Sequence, residues 1–292
     1  MATLRDIKRR IKGVQSTQQI TKAMKMVAAA KLRRAQEKII NARPYAREIF
    51  VMLSHLITES DLASNPYLKP RELRNAALVV VTADRGLCGA FNTNIIKEAS
   101  RYIEEELLPN KIQPGIFCVG KKGTEFFTKR DFNVVYKKQG FFSSLKFESA
   151  LEIANELING YLLGSYDKVV IIYNEFKSII QQRIVVEQFL PVPVDKSNGK
   201  QNQILSNYIY EPGRQYIFNN LLPKHLKAQL WRVLLESNAA GFGAQMTAMD
   251  NATTNAKELI RALQLKYNKE RQAAITNEIL EIVSGANALK GG

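Results

Sequence analysis

A seven-residue repeat of apolar residues occupies the first 56 positions and constrains the fold most strongly. Counted in sevens from Leu4, 13 of the 16 a and d positions are apolar: Leu4, Ile7, Ile11, Val14, Ala28, Leu32, Ala35, Ile39, Ala42, Ala46, Ile49, Leu53 and Leu56. A strict repeat of this length is typical of a coiled coil, because only supercoiling keeps such a seam against one partner. It predicts one helix over residues 1–57, about 85 Å long, with a partner helix elsewhere.

The three polar seam positions follow one another, at Gln18, Thr21 and Lys25. One interpretation is a local drift of the seam, in which the nearby Met24, Met26 and Val27 take over the apolar face. The other is a change of partner, in which this face of the helix meets something other than its coiled-coil helix. We prefer the second interpretation.

The partner helix is predicted at the other end of the chain. A helical period returns after Gly213 and continues to about Ala288. This segment has a run of Ala and Gly at 239–244, and the first helix has alanines at 28–30, so the two helix axes could approach closely here. Because the chain leaves a central domain and comes back, the two helices must run antiparallel.

Between the long helices, strand patterns alternate with helical ones. Apolar, β-branched runs predict strands at 76–83, 116–119, 134–136, 168–173 and 182–190, the last paired with the run before it. This alternation indicates an α/β domain with a mostly parallel sheet. The predicted division is a first helix at 1–57, an α/β domain at 75–195, a short segment at 196–211 with an extended stretch at 204–211, and a second helix at 212–288.

The second helix is longer than the first and should extend beyond it by about 20–25 Å. The overhang is predicted from residue 271 to 288. It is apolar on more than one face, with Ile275, Ile279, Leu280, Ile282, Val283, Ala286 and Leu289. A helix that is apolar nearly all round must be buried, and nothing else in this chain is left to bury it. Another protein is therefore expected to enclose it.

The net charge of +15 is concentrated in the first helix. Residues 1–47 hold 13 Lys and Arg against two acidic residues, whereas residues 48–211 are neutral overall. A basic rod predicts an acidic partner surface, which could be nucleic acid, anionic lipid or protein. The first 44 residues contain no aromatic side chain to stack on bases, and an apolar overhang has no use in nucleic-acid binding. Both features favour a subunit of a protein assembly over a nucleic-acid-binding protein.

Few residues suggest chemistry. The loop at 84–92 follows a strand and opens a helix, but Gly86 and Gly89 match neither the dinucleotide fingerprint nor the P-loop, so a structural turn is the preferred interpretation. The two cysteines, Cys88 and Cys118, are far apart, and the two histidines offer no metal set. We expect no active site, no cofactor and no metal. No apolar run is long enough for a membrane span, and no targeting segment is expected.

Three segments are similar to a known family. They are IKGVQSTQQITKAMKMVAA at 11–29, TADRGLCGAFN at 82–92 and YNKERQAAITNEILEIVSGA at 267–286. On these motifs the sequence resembles the gamma subunits of F-type ATP synthases, of the bacterial type, over essentially its full length.

The resemblance implies a fold and a function. The fold would be α/β, a long antiparallel coiled coil of the N- and C-terminal helices with a central Rossmann-like domain. The protein would be the rotor shaft inside a hexamer of alpha and beta subunits, with the epsilon subunit and the c ring at its base. It would transmit torque between the proton-driven ring and the catalytic hexamer. The resemblance also implies a peripheral place on the cytoplasmic face of the bacterial plasma membrane, no nucleic-acid partner and no homo-oligomer.

The resemblance also assigns roles to residues. Shaft contacts to the alpha and beta subunits are expected at Met24, Lys25, Arg271, Gln272, Thr276 and Glu278. The part of the C-terminal helix that turns inside the hexamer, the C-terminal bearing, would use Ile275, Ile279, Ile282 and Val283. The segment at 196–211 would be the foot, with Tyr208, Tyr210 and Glu211 against the c ring and epsilon. The polar seam positions would then face catalytic subunits that change as the shaft turns.

The apolar overhang leads to a solubility prediction. The chain alone should aggregate despite its charge, because the overhang has nothing to cover it. Size-exclusion chromatography with light scattering measures the aggregation. A stable, monodisperse full-length monomer with a protected C-terminus would contradict this prediction.

Overall fold

The computed structural model describes residues 3–179, 181–193 and 210–290. Its helices are α1 (Leu4–Leu56), α2 (Glu59–Ser64), α3 (Phe91–Tyr102), α4 (Lys121–Thr128), α5 (Phe147–Leu162) and α6 (Arg214–Lys290). Its strands are β1 (Ala76–Val81), β2 (Gly115–Val119), β3 (Val134–Lys138), β4 (Lys168–Phe176) and β5 (Gln182–Leu190). Short helical turns follow α3 at Ile103–Leu107 and Leu108–Asn110, and another lies at Phe141–Ser143.

The five strands form one sheet in the order β3-β2-β1-β4-β5. β1 is central and pairs in parallel with β2 and β4, so that Val79 lies opposite Phe117 on one side and Ile171 on the other. β3 is also parallel, and only β5 is antiparallel, as the partner of β4. The predicted mostly parallel sheet, including the pairing of the last two strands, is confirmed.

The sheet is covered on both faces, which explains why its strands are continuous apolar runs. Ala77, Val79 and Val81 of β1 belong to a core shared with α1, α5 and α6. The alternate residues Leu78 and Val80 belong to a second core, shared with α3. All six β1 residues are buried, and each large apolar side chain gains about 1.5–3 kcal/mol from this burial.

The described chain divides into two compact units, residues 28–245 and residues 1–27 with 246–292. In the larger unit, Arg43 of α1 lies 3.5 Å from Glu236 of α6, and the rings of Phe50 and His225 are 5.6 Å apart. Later residues of α1 thus meet earlier residues of α6. The same antiparallel order holds inside the smaller unit, where Lys25 pairs with Asp250 and the earlier Thr21 pairs with the later Thr253. The antiparallel pairing of the terminal helices is confirmed.

The small residues of α6 have a different use from the predicted one. A side chain at Gly241 would touch the ring of Phe91 on α3 at 3.5 Å, and one at Gly243 would lie 3.4 Å from the carbonyl oxygen of Ile179. These positions therefore face the α/β elements. The prediction of close approach to α1 therefore does not hold for these two glycines, because α6 packs on the sheet domain as well as on α1.

Helix α2 was not predicted, although its sequence carries a start signal. The Asp61 carboxylate accepts a hydrogen bond from the backbone N–H of Thr58 at 3.0 Å, the arrangement of a capping box. Arg214, at the start of α6, also binds Asp61 at 2.8 Å. The predicted extended stretch at 204–211 lies mostly outside the described residues.

Within residues 3–179, 181–193 and 210–290, the structure contains no helix with the length and apolar character needed to cross a bilayer.

Two glycines provide a matched test of the fold. Gly120 has φ +102°, and an added Cβ would lie 2.0 Å from the Thr82 carbonyl oxygen, so Gly120→Ala should cost about 3 kcal/mol or more of unfolding free energy. Gly13 lies within α1 with open space around it, so Gly13→Ala should stabilise by about 0.5–1 kcal/mol. Equilibrium urea unfolding measures both. A destabilising Gly13→Ala or a neutral Gly120→Ala would contradict the described backbone.

Candidate functional site

Two of the three polar seam positions of α1, Thr21 and Lys25, are paired with α6. The Thr253 hydroxyl lies 2.8 Å from the Thr21 hydroxyl, and Lys25 Nζ lies 2.6 Å from Asp250 Oδ1. Thr21 is only 8% exposed. The interpretation of a drifting seam was wrong, and the preferred interpretation of a changed partner does not hold for Thr21 and Lys25, which contact the coiled-coil helix α6. The reason is that α6 supplies polar side chains of its own at Asp250 and Thr253.

The exposed apolar residues of this stretch lie beside the seam. Ile20, Met26 and Val27 are 59%, 60% and 54% exposed, while Met24 is half-buried. Met26 and Val27 therefore do not take over the seam. The structure instead shows an apolar outer surface on α1, which the heptad pattern did not reveal. The roles predicted for Met24 and Lys25 as contacts to other subunits stay predictions.

The C-terminal part of α6 has no packing partner among the described residues. Leu263 is the last buried residue, and every described side chain from 271 to 286 is exposed. This stretch includes the predicted contacts Arg271, Gln272, Thr276 and Glu278. The apolar side chains here are Ile275, Ile279, Leu280, Ile282 and Val283, which are 48–65% exposed. Covering each of these side chains would gain on the order of 1 kcal/mol.

The predicted foot residues are only partly described. Tyr208 lies outside the described residues. Tyr210 is half-buried and packs against the core that includes α1, α5 and α6, while Glu211 is exposed. Their predicted contacts with the c ring and epsilon stay predictions.

The loop after β1 is held together by its own carboxylate. Asp84 accepts hydrogen bonds from the backbone N–H groups of Lys121, Gly140 and Phe142 at 3.1, 2.8 and 2.9 Å. These are donors of the kind that bind phosphate at the end of a parallel strand. With Asp84 already bound to them, a phosphate would meet a negative charge, which supports the interpretation of a structural turn.

The two cysteines are buried thiols, and the acidic residues form no metal-binding group in the described parts of the chain. Both Cys88 and Cys118 are buried. Burial raises the pKa of the Cys88 thiol and raises that of Cys118 to about 12, so both remain protonated. No group of three or more His, Cys, Asp or Glu side chains among these residues could hold a metal ion.

A buried polar cluster joins α6 to the β4–β5 pair. Arg232 Nη2 lies 2.7 and 2.9 Å from the two carboxylate oxygens of Glu187, and Arg232 Nη1 lies 3.2 Å from the Tyr173 hydroxyl. Tyr173 donates to Glu187 at 2.7 Å, and Gln229 donates to Glu187 at 2.7 Å. Burial alone would raise the pKa of Glu187, but the charge of Arg232 and these hydrogen bonds lower it.

Two further titratable residues of α6 border this cluster. Burial raises the pKa of Glu236, although Arg232 and Arg43 oppose the shift. Burial, followed by the charge of Arg232, lowers the pKa of His225 from 6.5 to about 4. Sequence reasoning missed the cluster, because its members lie on separate elements. The only signal was the polar spacing of Gln229, Arg232 and Glu236 inside an apolar helix.

The family comparison is decisive. A family model described as ATP synthase matches residues 3–289. The ATP synthase gamma chain of Chlorobaculum tepidum is 54% identical over 99% of this chain and 100% of its own length. That of Chloroherpeton thalassium is 52% identical over 99% of each chain. The chain belongs to the ATP synthase gamma chain family.

Solved structures of ATP synthases share this gamma-chain fold. A chain from the central stalk and c-ring structure of the Tetrahymena thermophila mitochondrial enzyme has TM-score 0.61 and 28% identity, covering 80% of this chain and 99% of that one. A chain from the Euglena gracilis mitochondrial enzyme has TM-score 0.66 and 20% identity, covering 99% and 95%. The long terminal helices flanking a mixed sheet are thus a shared architecture.

The buried His225 should make the stability of the chain depend on pH. Its pKa is lower in the folded chain than its ordinary 6.5, so the unfolded chain binds more protons between pH 6.5 and 4, and stability must fall as pH falls through that window. The expected loss between pH 7 and 5 is about 2 kcal/mol. His225→Gln should remove most of this slope in urea unfolding, whereas His55→Gln, the matched control, should retain it. Equal slopes in all three proteins would contradict the assignment.

Proposed function

We propose that this gamma chain is the central rotor shaft of an F-type ATP synthase and couples proton translocation to ATP synthesis. The main support is the C-terminal part of α6, which continues beyond the last buried residue with every described side chain exposed and apolar residues on several sides. A stable helix of this kind needs an enclosing partner. The nucleotide chemistry belongs to other subunits.

The C-terminal bearing turns inside the hexamer of alpha and beta subunits. Residues 271–290 extend for about 30 Å as a helix. Ile275, Ile279, Ile282 and Val283 give it an apolar surface that can be enclosed without any single fixed partner, because apolar contact is non-directional. Arg271, Gln272, Thr276 and Glu278 provide the polar contacts that differ from one side of the helix to another.

The shaft acts on the catalytic beta subunits through its asymmetry. Each side of a coiled coil of two unlike helices presents a different surface, so each beta subunit meets a different one. A surface that contacts one conformation better than another shifts the population toward it. Met24 and Lys25, beside the exposed Ile20, Met26 and Val27, lie in one such surface, and the basic charge of residues 1–47 favours acidic partner loops.

Torque enters through a separate segment of the chain. We assign the foot to 196–211, with Tyr208, Tyr210 and Glu211 against the c ring and the epsilon subunit. The functional division follows as shaft helices at 1–57 and 212–288 and a Rossmann-like domain at 75–195. The Tetrahymena relative comes from a structure described as central stalk and c-ring, which supports this arrangement. The chain is then peripheral, on the cytoplasmic face of the bacterial plasma membrane, and binds neither nucleic acid nor a second copy of itself.

Deletions test the proposed role of the overhang. Removing residues 271–292 should weaken assembly with alpha and beta subunits and lower ATP-driven proton pumping, because the enclosed apolar surface is lost. Removing residues 198–203 is the control and should have a smaller effect. Co-purification and proton pumping in membrane vesicles measure both. Equal effects of the two deletions would contradict the proposed bearing.

A further inference from the structure

The buried cluster around Arg232 closes a ring of hydrogen bonds. Arg232 donates to both oxygens of Glu187 and to the Tyr173 hydroxyl, and that hydroxyl donates to Glu187. Each group thus uses a specific partner on a different element. Arg232 and Glu187 are only 24% and 22% exposed, so water competes weakly for these bonds.

The cluster continues along one side of α6. His225, Gln229, Arg232 and Glu236 follow one another at intervals of four, three and four, which places them on one face of the helix. Gln229 donates to Glu187 on the sheet side, and Glu236 lies 3.6 Å from Arg232 and 3.5 Å from Arg43 of α1. Three elements of the larger unit, α1, α6 and the β4–β5 pair, therefore meet at this face.

The adjoining stretch of α6 has mostly small side chains. From 239 to 244 the residues are Ala, Ala, Gly, Phe, Gly and Ala, and Gly241 and Gly243 face Phe91 and the 176–182 region. Small side chains provide few projections that interlock with a neighbour, so this surface resists sliding or rotation of the helix poorly. The earlier turns of α6 pack apolar side chains such as Leu226 and Leu230 into the core, and the directional bonds of Arg232 add a contact that specifies one setting of the helix on the sheet.

We propose that Arg232 is a positioning residue that fixes the axial and rotational setting of α6 on the β4–β5 pair, so that torque applied to the α/β domain passes into α6 without slip. The proposal rests on the rotor function proposed above. The partly buried ion pair contributes to this setting more than to stability, because apolar side chains of similar volume can replace such a pair at little cost in stability but without its directional bonds.

The first test measures the setting of the helix directly. Spin labels on cysteines at the exposed positions Asn219 on α6 and Glu156 on α5 report the distance between the two elements in the full chain. The buried native thiols, with their raised pKa values, should not be labelled. The unsubstituted chain should give one narrow distance distribution. The double variant R232M/E187M should give a broadened or shifted one, and an unchanged narrow distribution would overturn the proposal.

The second test measures coupling in the assembled ATP synthase. R232M/E187M should still assemble but pump about half as many protons per ATP hydrolysed, because the replaced pair keeps the packing and loses the directional bonds. If this variant fails to assemble, R232K is the variant that tests the proposal, because it keeps the charge and loses the planar guanidinium. It should also pump fewer protons per ATP hydrolysed. Full coupling in the variant that assembles would overturn the proposal.

The matched control is R101M. Arg101 is an exposed arginine of α3 with carboxylate partners at Glu98 and Glu105, and its loss should leave coupling unchanged. An equal fall in R101M would show that the effect is not specific to Arg232 and would overturn the proposal. If the unsubstituted chain supports no proton pumping, the proposed rotor function is contradicted. The spin-label distances still test whether Arg232 fixes the setting of α6.

Discussion

The structure depends on the pairing of the chain's two ends along an antiparallel helix pair. The heptad seam of α1 cannot be buried by residues near it in the sequence. It is buried by α6, which comes from the last quarter of the chain. The α/β domain lies between these two segments in the sequence and completes its own core with parts of both helices, including Leu53 and Leu230. The domain and the helix pair are thus interdependent.

Polar pairs set the register where the apolar seam alone would not. In the smaller unit, Thr21 meets Thr253 and Lys25 meets Asp250, which interrupts an otherwise apolar interface. Apolar side chains accept many alignments, whereas a buried polar group must find its partner, so such pairs specify one alignment at some cost in stability. In the larger unit, the ring of bonds between Arg232, Glu187 and Tyr173 has the same effect for α6 on the sheet.

A rotor needs directional contacts within its own chain and non-directional contacts with its partners. The directional contacts described here are used within the chain, while the C-terminal part of α6 presents mainly apolar and solvated side chains. Non-directional contact lets one helix turn among several partner surfaces without being held by any one of them. The turn at Asp84 fits the same view, because its carboxylate occupies donors that could otherwise bind a nucleotide phosphate.

The sequence by itself determined the long helices, the buried strands and the class of the fold. The periods of α1, α6 and the buried strands are local patterns, so the long helices, the parallel sheet and the unpartnered overhang from Arg271 onward could be predicted from them. The partners of individual polar residues could not. Thr21 and Thr253 are more than 200 positions apart, and the heptad pattern does not indicate which residue a polar seam position contacts. Only the tertiary structure decided the partners of the polar seam residues, the face used by Gly241 and Gly243, and the ring of hydrogen bonds around Arg232. The reason is that each depends on contacts between segments that are distant in the sequence.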